Sequence, residues 1–102
     1  MNQDILHKIT EIKEQLSAEG FVIEGVFGSY SRDDYNQFSD IDILYDLDNG
    51  FKDKYKGFKA IARLDAIQKQ ISSILDIEAD LVQKSSLGEI SAKYILPVVY
   101  YV

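Results

Sequence analysis

Two seven-residue runs, FVIEGVF at positions 21–27 and IDILYDL at 41–47, constrain this chain most. Both are short and rich in β-branched and aromatic residues, which suit a pleated, half-buried surface, so both predict strands. Gly28 closes the first, and Asp48-Asn49-Gly50 ends the second with strong turn residues. Ahead of them Ile5, Ile9, Ile12 and Leu16 recur at helical spacing between Glu, Lys and Gln, and Gly20 follows as a stop signal. Beyond them Phe58, Ile61, Leu64, Ala66, Ile67, Ile71, Ile74 and Leu75 predict one long helix over 53–75, looser around Gly57. IEADLVQ, 77–83, predicts a third strand. Ser86 stands three residues before Glu89, the spacing of a capping box, and predicts a helix of about two turns ending before Pro97. The closing VVYYV reads as a last strand, or as an edge that pairs with another chain. Helix, strand, strand, helix, strand, helix, strand is the order of an α/β or α+β sheet with helices packed against it.

At 102 residues the chain has the length of one domain, expected to run from 1 to 102. Its net charge of -6 and pI near 4.6 repel phosphate backbones and anionic membranes, which argues against nucleic acid or membrane as a main partner. A phosphate-bearing small molecule is compatible only if cations screen the acidic groups. There is no cysteine, hence no disulfide framework and no thiolate metal site. The start shows no basic segment followed by an apolar run, and nothing approaches a membrane span. A soluble, cytoplasmic protein is the expectation.

Chemistry concentrates between the two predicted strands. Asp40 and Asp42 flank Ile41, so alternation along a strand aims both carboxylates at one face, roughly 6.5–7 Å apart. That arrangement suits magnesium, which prefers carboxylates together with substrate phosphates, often as two ions in phosphoryl-transfer sites. Asp80, opposite in direction to Ala79 and Leu81, is the candidate third carboxylate. Gly28-Ser29 provides a turn whose amides and hydroxyl can approach a phosphate, and Arg32 offers a planar fork for its oxygens. The reaction these groups suit is in-line attack at phosphorus. Taken singly, an Asp-x-Asp is usually a solvated strand edge and a Gly-Ser turn only a turn; their order in one segment carries the reading. No lysine follows Gly28, so there is no P-loop, and no G-x-G-x-x-G marks a dinucleotide site. Asp46-x-Asp48-x-Gly50 lacks the remainder of a calcium loop, and His7, the only histidine, reads as a surface or packing residue. Tyr94, Tyr100 and Tyr101 read first as core residues.

Gly28-Ser29-Tyr30-Ser31-Arg32 followed by Ser39-Asp40-Ile41-Asp42-Ile43 resembles the signature of the nucleotidyltransferase superfamily that includes DNA polymerase beta. By length the chain resembles a minimal nucleotidyltransferase, the antitoxin of a HEPN toxin-antitoxin pair. The resemblance implies a mixed sheet of about four strands flanked by helices. It also implies a nucleotide-binding set of Gly28, Ser29, Arg32 and Ser39, and Asp40, Asp42 and Asp80 as catalytic, magnesium-binding carboxylates. ATP would be the substrate, Mg2+ the cofactor, and a tyrosine of the HEPN ribonuclease partner the AMP acceptor, in a hetero-oligomer. The family often has Ala-Arg-Gly where this chain has Ser31-Arg32-Asp33, so loop shape is the point of departure. Two rival readings stay open: an antitoxin that acts by binding and occlusion without catalysis, and transfer to a small hydroxylated acceptor.

Overall fold

The first helical period becomes α1, Gln3–Ser17, in a computed structural model that describes residues 1–102. The Asn2 side chain caps it by accepting the Ile5 N–H at 3.0 Å, which satisfies one of the free amides of the first turn. Ile9, Ile12 and Leu16 line its buried side. The two apolar runs become β1, Phe21–Phe27, and β2, Ile41–Leu47, paired antiparallel. Between them Ser29–Arg32 forms the short helix α2. After β2 come α3, Asn49–Lys54, and α4, Phe58–Leu75, then β3, Ala79–Gln83. A 3-10 turn at Lys84–Ser86 leads to α5, Glu89–Ile95, and a second at Leu96–Val98 to β4, Tyr100–Tyr101.

Strand order is β3-β2-β1-β4, with β2 and β3 parallel and the other pairs antiparallel. The sheet is thus the four-stranded mixed sheet expected. A parallel pair needs a long crossover, and α4 supplies it. Ile67, Ile71 and Leu75 of α4 meet the buried stripe of α1 over Phe21, Ile23, Ile41, Ile43 and Tyr45 in one hydrophobic core. No helix is long and apolar enough to cross a membrane.

Arg63 of α4 clamps Glu19, just beyond α1, through Nε at 2.6 Å and a second nitrogen at 2.8 Å. Those hydrogen bonds hold the Glu19 carboxyl below its ordinary value, with the Arg63 charge adding to them and burial opposing. A depressed carboxyl adds stability above its unfolded pKa and loses it as pH falls through the folded one. Glu19→Gln is therefore expected to lower the thermal midpoint at neutral pH and to change it little in strongly acid buffer. An equal loss in both buffers would show that the pair acts by packing alone.

One irregularity sets the faces of β1. The register slips between Ile23 and Gly25, so Glu24 is an extra residue in the strand and Ile23 and Val26 both turn to the core. Gly25 is also where β4 comes closest: an added Cβ would stand 2.5 Å from the Tyr100 carbonyl oxygen. The absent side chain is what lets the last strand dock.

Several local expectations are corrected. The helix expected over 53–75 is α4 from Phe58 on; Asp53 and Lys54 belong to α3, which Asp48 caps by accepting the Phe51 N–H at 3.1 Å and which ends as Tyr55 turns extended. Asp48-Asn49-Gly50 thus starts a helix as well as ending a strand. β3 begins only at Ala79. The capping box does not form: Gly88 precedes α5, and the Ser86 hydroxyl donates to Gln83 Oε1 at 3.3 Å. Of VVYYV only Tyr100 and Tyr101 pair. Tyr94, at 71% exposure, and Tyr100 and Tyr101 lie at the surface and not in the core.

Candidate active site

β1 ends, and β2 and β3 begin, at the same edge of the sheet, so residues distant in sequence meet there. Asp42 stands in register with Asp80 on one side and Phe27 on the other. Neighbouring strands lie about 4.8 Å apart, which sets the backbone spacing of the two aspartates. Asp40 is exposed immediately before β2. Asp80 is exposed between the buried Ala79 and the half-buried Leu81, the alternation expected of it.

Gly28 makes the turn from β1 into α2 with φ +75° and ψ -154°, a conformation that is essentially glycine-only. An added Cβ would collide with the Asp42 carboxylate, so the turn is pressed directly against that side chain. Ser29 then opens α2. The Ser31 hydroxyl donates back to the Gly28 carbonyl at 2.8 Å. Tyr30 anchors the helix from beneath, buried and stacked on Tyr35 with ring centroids 4.1 Å apart. Arg32 is exposed, with Nε 3.1 Å from Asp34.

Where glycine is frequent in the family, Asp33 itself adopts the left-handed conformation, φ 60°, and its amide donates to the Ser29 carbonyl to close α2. The loop keeps its shape without the glycine. Asp tolerates this region at a cost of roughly 1–2 kcal/mol, while glycine adds freedom to the unfolded chain, so the two effects oppose. Asp33→Gly is expected to leave stability within about 1 kcal/mol of the parent, whereas Asp33→Val should cost roughly 1–3 kcal/mol. Denaturant titration of both variants checks this, and a stable valine variant would refute the strained turn.

Residues 36–39 form a second tight turn. The Ser39 amide donates to the Asn36 carbonyl at 3.1 Å, and the Asn36 amide donates to the Ser39 hydroxyl at 3.0 Å. Ser39 is thereby engaged in shaping the approach to Asp40. Phe38 projects from this turn at 83% exposure.

The electrostatics converge on Asp42. Burial raises its pKa first, the charges of Asp80 and Asp40 raise it further, and a hydrogen bond with Asp80 adds to this; only Arg32 opposes. Such a group gains by holding a proton or a cation. No three Asp, Glu, His or Cys side chains are gathered into an ion cage on their own. The hard oxygens fit a magnesium ion that draws its other ligands from phosphates and water. All the candidate residues thus lie at one edge, but with different exposures: Asp42 is half-buried under the turn, while Asp40, Asp80 and Arg32 face solvent. Sequence reasoning missed the Tyr30–Tyr35 stack and the exposed Phe38 beside the site, and it marks Asp33 as a departure without showing that this residue closes α2. An aromatic beside Ser39-Asp40, with no place in any strand or helix pattern, was the available signal for Phe38.

A turn cradle over paired strand carboxylates, on a four-stranded mixed sheet, defines a nucleotidyltransferase. The nucleotidyltransferase domain family model matches residues 8–99, and this chain belongs to that family. It is similar to the protein adenylyltransferase MntA of Thermococcus cleftensis, 33% identical over 101 residues that span 98% of this chain and 94% of the relative. A solved structure described as a minimal nucleotidyltransferase superposes with a TM-score of 0.73, covering 100% of this chain and 97% of its own at 21% identity, a likeness of fold. A toxin-antitoxin structure solved with AMP-PNP matches with a TM-score of 0.65 and 25% identity, covering 93% of this chain and 69% of that one.

Proposed function

We propose that this nucleotidyltransferase transfers AMP from ATP to a tyrosine hydroxyl of a partner HEPN ribonuclease toxin and thereby neutralises it in the cytoplasm. The observation that carries the reading is the placement of Asp42 between the Gly28 turn and Asp80. The adenylyltransferase relative and the toxin-antitoxin likeness support it.

In this reading Gly28, Ser29 and Ser39 cradle the triphosphate, and Arg32 reaches its oxygens. Asp40 and Asp42 would hold Mg2+, with Asp80 completing the carboxylate set. Magnesium held there would neutralise phosphate charge and draw electrons from the α-phosphorus. Asp80 orients the acceptor hydroxyl and takes its proton. The acceptor oxygen forms a new bond to the α-phosphorus as the bond to the bridging oxygen breaks, and pyrophosphate leaves with that electron pair.

Incubation with ATP, Mg2+ and host lysate, followed by intact-protein mass spectrometry, tests the proposal. A protein gaining AMP with the parent chain and not with Asp42→Ala supports it, and peptide mapping names the residue. An unmodified partner held in a tight, inactive complex would replace it with occlusion. That second reading has one observation behind it, the exposed Ile90, Tyr94 and Val98 along the chain from α5.

A further inference from the structure

Beside Asp40, where β2 and β3 begin, a cavity of about 390 Å³ opens, within the roughly 300–1,000 Å³ of ligand sites. Phe38, Ile77 and the buried Tyr30 give it apolar and aromatic walls, while Asp40, Asp76 and Glu78 add carboxylates; no Lys, Arg or His lines it. The Phe38 amide donates to Asn36 Oδ1 at 2.8 Å within the turn that Ser39 closes, so its backbone is fixed while its ring stays exposed. An exposed aromatic on a fixed turn is a preorganised contact.

The charge of the cavity decides what enters it. Ser39 and Asp40 stand on its border with the proposed nucleotide site, but beyond them Asp76 and Glu78 offer a triphosphate only repulsion, whereas the Gly28 turn and Arg32 offer donors for one. The remaining substrate of a transfer reaction is the acceptor, which must also come to the Asp40 edge. A phenol ring packs well against Phe38 and Ile77, and carboxylates at the rim favour a positively charged neighbourhood around it.

We infer that this cavity is the acceptor subsite, and that it selects a tyrosine in a segment flanked by Lys or Arg. The inference rests on the proposed adenylyl transfer to protein. Its test uses two synthetic peptides with a central tyrosine, one flanked by lysines and one by glutamates. Binding is read by fluorescence anisotropy on Asp42→Asn, and transfer by mass spectrometry on the parent chain with ATP and Mg2+.

The lysine peptide is expected to bind at least about tenfold more tightly than the glutamate peptide. Phe38→Ala, combined with Asp42→Asn, should weaken that binding by about tenfold or more. In the parent background Phe38→Ala should leave ATP affinity unchanged, and Glu78→Lys should narrow the preference between peptides. Equal binding of both peptides, or binding indifferent to Phe38, overturns the assignment. Loss of ATP affinity in Phe38→Ala with peptide binding intact overturns it too, by making the cavity a nucleotide subsite. Selective, Phe38-dependent peptide binding without any AMP transfer to peptide or protein sinks the catalytic reading and leaves the cavity as a binding site for a basic tyrosine segment, not an acceptor subsite.

Discussion

Asp42→Asn is expected to abolish AMP transfer, by about a thousandfold or more, and at the same time to make the ligand-free protein more stable. The first effect follows from removing a charged oxygen from the proposed magnesium set. The second follows from the pKa of Asp42, which burial and the Asp80 and Asp40 charges raise above the carboxyl reference. A raised carboxyl pKa means that the ionised group destabilises the folded state; this penalty is full above the folded pKa and vanishes below the unfolded one. Amide replacement removes the charge at every pH. The apo midpoint should rise at neutral pH, and the gain should disappear in acid.

The same variant should lose stabilisation by substrate. At a hundredfold excess over Kd, Mg2+ and ATP add about 2.7 kcal/mol to the parent, a shift of roughly ten degrees or more. Thermal melts with and without Mg2+ and ATP therefore cross: the variant is the more stable protein without ligand and the less stable with it. A variant that melts lower in both states would mean that Asp42 serves packing and not charge storage.

Gly28→Ala carries the second large effect. The residue occupies a backbone region closed to side chains, and its added methyl meets the Asp42 carboxylate. Strain and overpacking together cost roughly 2–4 kcal/mol. Relief comes only by moving the turn or the aspartate, so ATP affinity should fall with stability, which a pure folding defect at a remote core position would not produce at permissive temperature. Isothermal titration with Mg2+ and ATP well below the melting midpoint separates the two. Parent-like affinity there would place the phosphates away from this turn.

The opening strands and first helix were legible because their signals are local. Ile9, Ile12 and Leu16 repeat with the helical period, and FVIEGVF and IDILYDL are bounded by turn residues. The long helix expected over 53–75 holds from Phe58, where its apolar period begins, while Asp53 and Lys54 fall to α3, which the cap of Asp48 on Phe51 starts and the extended Tyr55 stops. Ser86 and Glu89 had the spacing of a capping box, but the chain bends into a 3-10 turn and Ser86 bonds to Gln83. The apolar company of the three late tyrosines predicts burial, yet β4 is a two-residue edge strand and all three are exposed.

By itself the sequence determined the order of the strands along the chain, the alternation that separates Asp40 and Asp42 from Ile41 and Ile43, and the acidic character of the site. These depend on spacing and residue type, which are properties of neighbouring positions. Only the tertiary structure decided that Asp80 faces Asp42 across a parallel pair, that the Gly28 turn rests on that carboxylate, and that Asp33 closes α2 without a glycine. It alone placed Phe38 over the cavity at Asp40. Those relations depend on strand register and backbone torsion, which the crossover by α4 and the shared core settle over distances that no local pattern spans.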